Sequence, residues 1–178
     1  MVLAHPTLFA EDQPYARSIL HIHVLHRALT TAPLLSVPLN LSLRAYARKR
    51  FPGAPVANLP FLTSLTRTTG IVSVFVMAGL EIALLGRMRG REGVEWQDRS
   101  WRLLGNRGQQ EMDLWGYGGG VAGGLGWVVL RKVRPVGWGG WKAGVGSVCL
   151  GNFGGCVGQM GWRGGWKGGK WEEDGDGV

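Results

Sequence analysis

Two charge-free stretches dense in glycine constrain this chain more than anything else in it. They read LWGYGGGVAGGLGWVVL (residues 114–130) and AGVGSVCLGNFGGCVGQMGW (residues 143–162), and a short basic link with Arg131, Lys132, Arg134 and Lys142 joins them. In water such segments make poor helices, because each interior glycine costs about 1 kcal/mol relative to alanine. In a bilayer the backbone must satisfy its own hydrogen bonds, and glycine becomes a surface on which a second helix can pack closely. The pair therefore predicts two tightly packed membrane helices joined by a basic turn. A flexible glycine-rich linker is the competing reading, but linkers carry Ser, Gln or charge rather than Val, Leu, Phe and Trp.

Glycines four apart share a helix face. Gly116/Gly120, Gly119/Gly123, Gly120/Gly124, Gly151/Gly155 and Gly154/Gly158 all have this spacing, so these residues are the expected helix-packing contacts. Two phosphate-loop patterns overlap the same region and fail on context. Gly118, Gly120 and Gly123 match GxGxxG, but EMDLWGY is a poor strand and no acid follows until Glu172, where a dinucleotide site needs both. Residues 164–170 match GxxxxGK, yet Trp171 stands where Ser or Thr should hold magnesium.

Elsewhere the clearest spanning segment is residues 68–86, TTGIVSVFVMAGLEIALLG, with Glu81 as its one charge. Residues 19–43 are a weaker span. His21, His23, His26 and Arg27 occupy their first half and Pro33 and Pro38 interrupt the second; the uncharged part, 16 residues, reaches about 24 Å against a ~30 Å hydrocarbon core. Residues 87–113 mix both charge signs with Trp96, Trp101, Leu103 and Leu104, a solvated loop with an amphipathic helix at the membrane surface. The domain plan is a polar segment (1–17), a membrane domain (18–162) and a polar tail (163–178). The fold class is an all-α integral membrane bundle of three to four transmembrane helices with a glycine-rich C-terminal pair. All nine tryptophans lie at or beyond position 96, several near span ends, where an apolar ring with a polar N–H is favoured.

The net charge of +8 is unevenly placed. With four spans, one side receives residues 44–56, Arg67 and residues 131–142, holding nine Lys/Arg and no acid; the other receives eleven of each sign. The purely basic side is expected to face the matrix or cytoplasm. Arg44, Arg48, Lys49, Arg50, Arg131, Lys132, Arg134 and Lys142 are its anionic-lipid contacts, cardiolipin included. His5, Pro6, Glu11 and Asp12 precede any long apolar run, a pattern unlike a secretory signal, so an organellar address is expected to be internal.

Chemistry-bearing residues are sparse. Cys149 and Cys156 lie seven apart within an apolar run and read as buried small side chains, about 10 Å apart along a helix and without CxxC spacing. His21 and His23 point about 200° apart on a helix and cannot share a metal, so the histidines read as interfacial or solvated. Glu81, about 7.5 Å from its helix end, reads as reaching the interface or pairing with an arginine. No catalytic residue, cofactor or metal is expected, and nucleic acid is disfavoured because the uncharged runs of 17 and 20 residues do not suit a phosphate groove.

The His5-Pro6 start, the segment GYGGGVAGGLGWVVLRKVRP and the last span ending QMGWR resemble the small accessory membrane subunits of mitochondrial respiratory complex I, the fungal type called NUXM. A second resemblance is to the Tim17-like group of glycine-rich four-helix membrane proteins. The first implies a non-catalytic, multi-pass subunit of the mitochondrial inner membrane and respiratory chain, whose partners are other transmembrane subunits of a large complex. The second implies a translocase or carrier component, for which Glu81 and Asn152 are the polar lining candidates. A soluble glycine-rich nucleic-acid binder is the third reading.

Overall fold

In a computed structural model, which describes residues 6–53, 59–133 and 140–168, the chain is all-helical, with no strand among those residues. A short 3-10 turn, Ala10–Asp12, precedes five helices. They are α1 (Ala16–Arg50), α2 (Phe61–Met88), α3 (Gly93–Gly105), α4 (Arg107–Val133) and α5 (Trp141–Met160), followed by a π-helical turn, Gly161–Trp166.

α2 contains the 68–86 run and is long and apolar enough to cross a membrane; among the described helices it alone meets that description. Glycine adds almost nothing to hydropathy, which holds α4 and α5 below it. α1 differs from the sequence expectation. Pro33 and Pro38 lie inside one uninterrupted helix of 35 residues, about 52 Å long at 1.5 Å per residue. Each proline removes a backbone donor, yet the helix runs on through both, with Pro33 itself buried and Ser36 Oγ donating back to Pro33 O (3.1 Å) within the helix.

The 87–113 segment is helical for most of its length rather than a loop. α3 buries Trp96, Ser100 and Leu104, residues at i, i+4 and i+8 on one face. Trp96 packs with Ala16, Leu20 and Met88 in the apolar core at this end. Gly90, with φ +71°, lets the chain leave α2 and turn into α3. Asn106 alone separates α3 from α4, and α4 starts at Arg107, seven residues before the apolar run.

α5 is the central helix, contacting α1, α2 and α4. Its glycines are the reason it can. A Cβ built at Gly151 would overlap the Gly119 carbonyl oxygen, and one at Gly155 would overlap that of Trp115. From the other side, added Cβ atoms at Gly119 and Gly123 would overlap the carbonyls of Gly151 and Ser147. The same holds towards α2, where Gly70 abuts the Lys142 carbonyl and Gly146 that of Thr66. Backbone thus lies against backbone on two sides of α5, the geometry that small residues allow.

The bundle has two chemically distinct ends. One gathers the starts of α1 and α4, the ends of α2 and α5, and α3, with acids and bases together. The other gathers the end of α1, the start of α2, the end of α4 and the start of α5. Its described charges are Arg44, Arg48, Lys49, Arg50, Arg67, Arg131, Lys132 and Lys142, all basic.

Candidate functional site

The first half of α1 carries four ionisable side chains in seven residues, and the fold distributes them between two neighbours. His21 turns to α2, where its Nδ1 lies 2.6 Å from Glu81 Oε2 and its ring stacks on Trp96. His23, His26 and Arg27 turn to α4 and converge on Asp113. The 200° divergence of His21 and His23 therefore appears as two separate carboxylate partners on two helices. Among the described residues no three His, Cys, Asp or Glu side chains form a metal-binding group.

Asp113 is 1% exposed. Its Oδ1 accepts from Arg27 Nη2 and from Gln109 Nε2 at 2.8 Å. His26 Nδ1 stands 3.3 Å from Oδ1, and His23 Nδ1 3.7 Å from Oδ2. His26 is 3% exposed, not interfacial or solvated, and it stacks on Tyr117 at 4.2 Å between ring centres. Its Nε2 lies 2.8 Å from Asn152 Nδ2, and Asn152 Oδ1 accepts from Thr30 Oγ1 at 2.7 Å. With Asn152 donating, His26 Nε2 is the acceptor nitrogen and its proton sits on Nδ1, the nitrogen on the side of the carboxylate.

Polarity therefore runs from Thr30 through Asn152 and His26 to Asp113, tying α1, α4 and α5 together. An Asp–His pair invites comparison with a general base, but such a base must present its free nitrogen to a substrate or nucleophile. Here Asn152 occupies that nitrogen, so the arrangement fixes helix positions. Gly116 closes the cluster: an added Cβ would meet His26 Nε2 at 3.1 Å and both Asn152 Nδ2 and Cys156 Sγ at 3.2 Å. Cys149 and Cys156 are free and buried.

A second polar ladder joins α1 to α2 nearer the basic end. Ser36 and Thr69 hydroxyls lie 2.6 Å apart, and Asn40 Nδ2 donates to Ser64 Oγ (2.8 Å) and Thr68 Oγ1 (2.9 Å). The sequence contains its signal in the four-residue spacings Ser36/Asn40 and Ser64/Thr68, on either side of Pro38 in the first case. The Asp113 cluster has no comparable signal, because Arg27 and Asp113 are 86 residues apart.

The glycines expected to pack separate into groups. Gly119, Gly123, Gly151 and Gly155 form the α4–α5 seam, and Gly116 faces the polar cluster. Gly120, Gly124 and Gly158 have ordinary contact distances of 3.4–3.7 Å around an added Cβ, whereas Gly154 has nothing within 4 Å. The basic residues also separate. Arg44 is buried, donates from Nη1 to Leu59 O at 2.8 Å and lies over Phe61. Arg48, Lys49, Arg50, Arg131 and Lys132 are exposed and Lys142 is half-buried. Arg131 and Lys142 sit over Trp127 and Trp141. Arg134, Trp138 and the tail from 169 onward lie outside the described residues.

Glu81 and Asn152 bond to different helices, Glu81 to α1 beside α3 and Asn152 into the α1–α4–α5 cluster. The Glu81–His21 pair is a quarter to a third exposed. Glu81→Gln should therefore cost at most about 1 kcal/mol, read as a small drop in melting temperature in detergent; a loss of fold would contradict this assignment. No protein-family profile, curated protein or solved structure matches the chain.

Proposed function

We propose that this protein is a non-catalytic accessory subunit of the mitochondrial inner membrane that supports assembly or stability of the membrane arm of NADH:ubiquinone oxidoreductase. The observation that carries the membrane part is the apolar flank of the bundle. Phe75 (73% exposed) and Ile82 (69%) on α2, and Val121 and Leu125 (64% each) on α4, point outward. Leu34, Leu35, Leu41 and Leu43 do the same on α1. So many large apolar side chains turned outward need lipid or a partner to cover them. Meanwhile the polar side chains Asn40, Asn152, Asp113, Thr66 and Thr69 are buried, which suits a molecule with an apolar solvent outside.

On this reading α2, α4 and α5 span, and α1 spans as a fourth helix, since one unbroken helix is long enough despite its prolines. The all-basic end faces the matrix. The accessory role in complex I rests on the resemblance of the glycine-rich segments and of the QMGWR ending, together with a seam that rigidifies the chain around its own helices.

Two measurements test this. Carbonate should leave the chain in the membrane pellet, whereas a soluble nucleic-acid binder would be released. In native gels the protein should co-migrate with complex I, and its removal should reduce the assembled membrane arm. Migration with a protein translocase instead would favour the Tim17-like reading and sink the complex I assignment. Because a Cβ added at Gly154 would meet nothing within 4 Å among the described residues, it is available to a neighbouring subunit's helix. Gly154→Leu should leave the isolated protein as stable as the parent and weaken its incorporation into the high-mass band several-fold. Unchanged incorporation would remove Gly154 from the docking surface.

A further inference from the structure

Where α1, the end of α2 and α3 meet, they enclose an open cavity of about 440 Å³. Its walls are apolar, with Val24 from α1 and Leu80 and Leu84 from α2. Its polar groups are all of one kind: Arg27, Arg87, Arg99 and His23 line it, and no carboxylate does. Asp113 neutralises Arg27 from behind. Arg87 and Arg99 have no hydrogen-bond or ion-pair partner among the described residues. One more donor is left short: Arg27 Nε is buried without a hydrogen-bond partner among the described residues.

We propose that this cavity binds an anionic phospholipid, with its phosphate between Arg87 and Arg99 and the first part of an acyl chain along Leu80, Leu84 and Val24. Guanidinium groups match phosphate oxygens in a bidentate geometry, and Arg27 Nε supplies a further donor at the inner wall. The depth suits the ligand. Arg87 lies in the last turn of α2, immediately after the run ALLG ends, where a long basic side chain reaches the headgroup layer. The apolar walls favour a lipid over free phosphate, because inorganic phosphate would leave them wet. The site lies at the mixed-charge end, opposite the exposed cluster of Arg48, Lys49 and Arg50, so it adds a lipid contact in the other leaflet. It rests on the membrane reading of the chain.

The test uses the full-length protein reconstituted in phosphatidylcholine vesicles doped with a photoactivatable phosphatidylglycerol whose diazirine lies near the headgroup. Adducts are mapped by peptide mass spectrometry. The wild type should be labelled in the peptides covering residues 20–27 and 80–88. Arg87→Gln with Arg99→Gln should reduce that labelling about tenfold or more, as expected for losing charge-assisted hydrogen bonds of about 1.5 kcal/mol or more. Both proteins should stay in the pellet after carbonate. Equal labelling of the double variant, equal labelling by a phosphatidylcholine probe, or displacement by millimolar inorganic phosphate would each overturn the site while leaving the membrane reading intact. Release of the wild type by carbonate would overturn both.

Discussion

Gly151→Ala should destabilise the bundle by about 1–3 kcal/mol or more, the range for forcing extra methyl groups into a packed interior. The added methyl would overlap the Gly119 carbonyl oxygen, and main chain cannot swing aside as a flexible side chain can. α4 and α5 would have to separate, and as stiff rods they would lose contact along the whole seam, Gly123 against Ser147 and Gly155 against Trp115 included. The control is built into the same helix. Gly154→Ala meets nothing within 4 Å and should be neutral or slightly stabilising through helix propensity. Thermal or denaturant unfolding in detergent separates the two. Equal melting temperatures for both variants would show that α4 and α5 do not lie backbone to backbone. A double Gly119→Ala, Gly151→Ala variant should cost less than the sum of its parts, because both methyls force the same separation.

The second large effect is expected at Asp113. Asp113→Ala removes the one carboxylate that Arg27, His23 and His26 share, and leaves a largely buried guanidinium uncompensated. Breaking such a pair from one side costs about 3–5 kcal/mol. Arg27 is nearly a quarter exposed and can relieve part of this by reaching outward, which places the expected loss towards the lower figure. Arg27→Gln with Asp113→Asn should recover much of it, since no charge then remains without a partner. A double-mutant cycle on unfolding free energies checks this. Strictly additive single effects would mean that the two side chains do not form a coupled pair. Loss of the Thr30–Asn152–His26 chain should accompany Asp113→Ala, visible as a shifted His26 ring resonance in selectively labelled protein.

These two sites differ sharply in how far the sequence revealed them. The seam was legible as a type of contact, since four-residue glycine spacing puts small faces on a helix. Which face is used was not. α5 presents glycine on several sides, and only the register against α4 selects Gly151 and Gly155 over Gly154. The α2 helix was legible because an apolar run identifies itself. α1 was less so, because a proline's local effect is evident while the hydroxyl ladder that holds α1 to its neighbour is made with a helix some 30 residues away. The burial of His26 depends on Asp113 and Asn152, at separations that no local pattern encodes. The charged 87–113 segment looked solvated because its apolar side chains are few, yet Trp96 and Leu104 with Ser100 suffice to hold α3 against the bundle.

The central place of α5 has a consequence for how the protein is made. α4 makes its main contacts with α5 and only slight ones with α3, apart from the ion pairs of Asp113 with α1, and α5 also braces α1 and α2. During synthesis α1, α2 and α4 emerge before the helix that packs against all three. The nascent chain therefore holds an α1–α2 pair with α4 tied to it chiefly through Asp113, and α4's glycine face stays bare until α5 arrives, leaving a window in which that face can be claimed by an insertase or a neighbouring subunit. Ribosome-bound chains arrested ahead of α5 should be the forms that such factors retain.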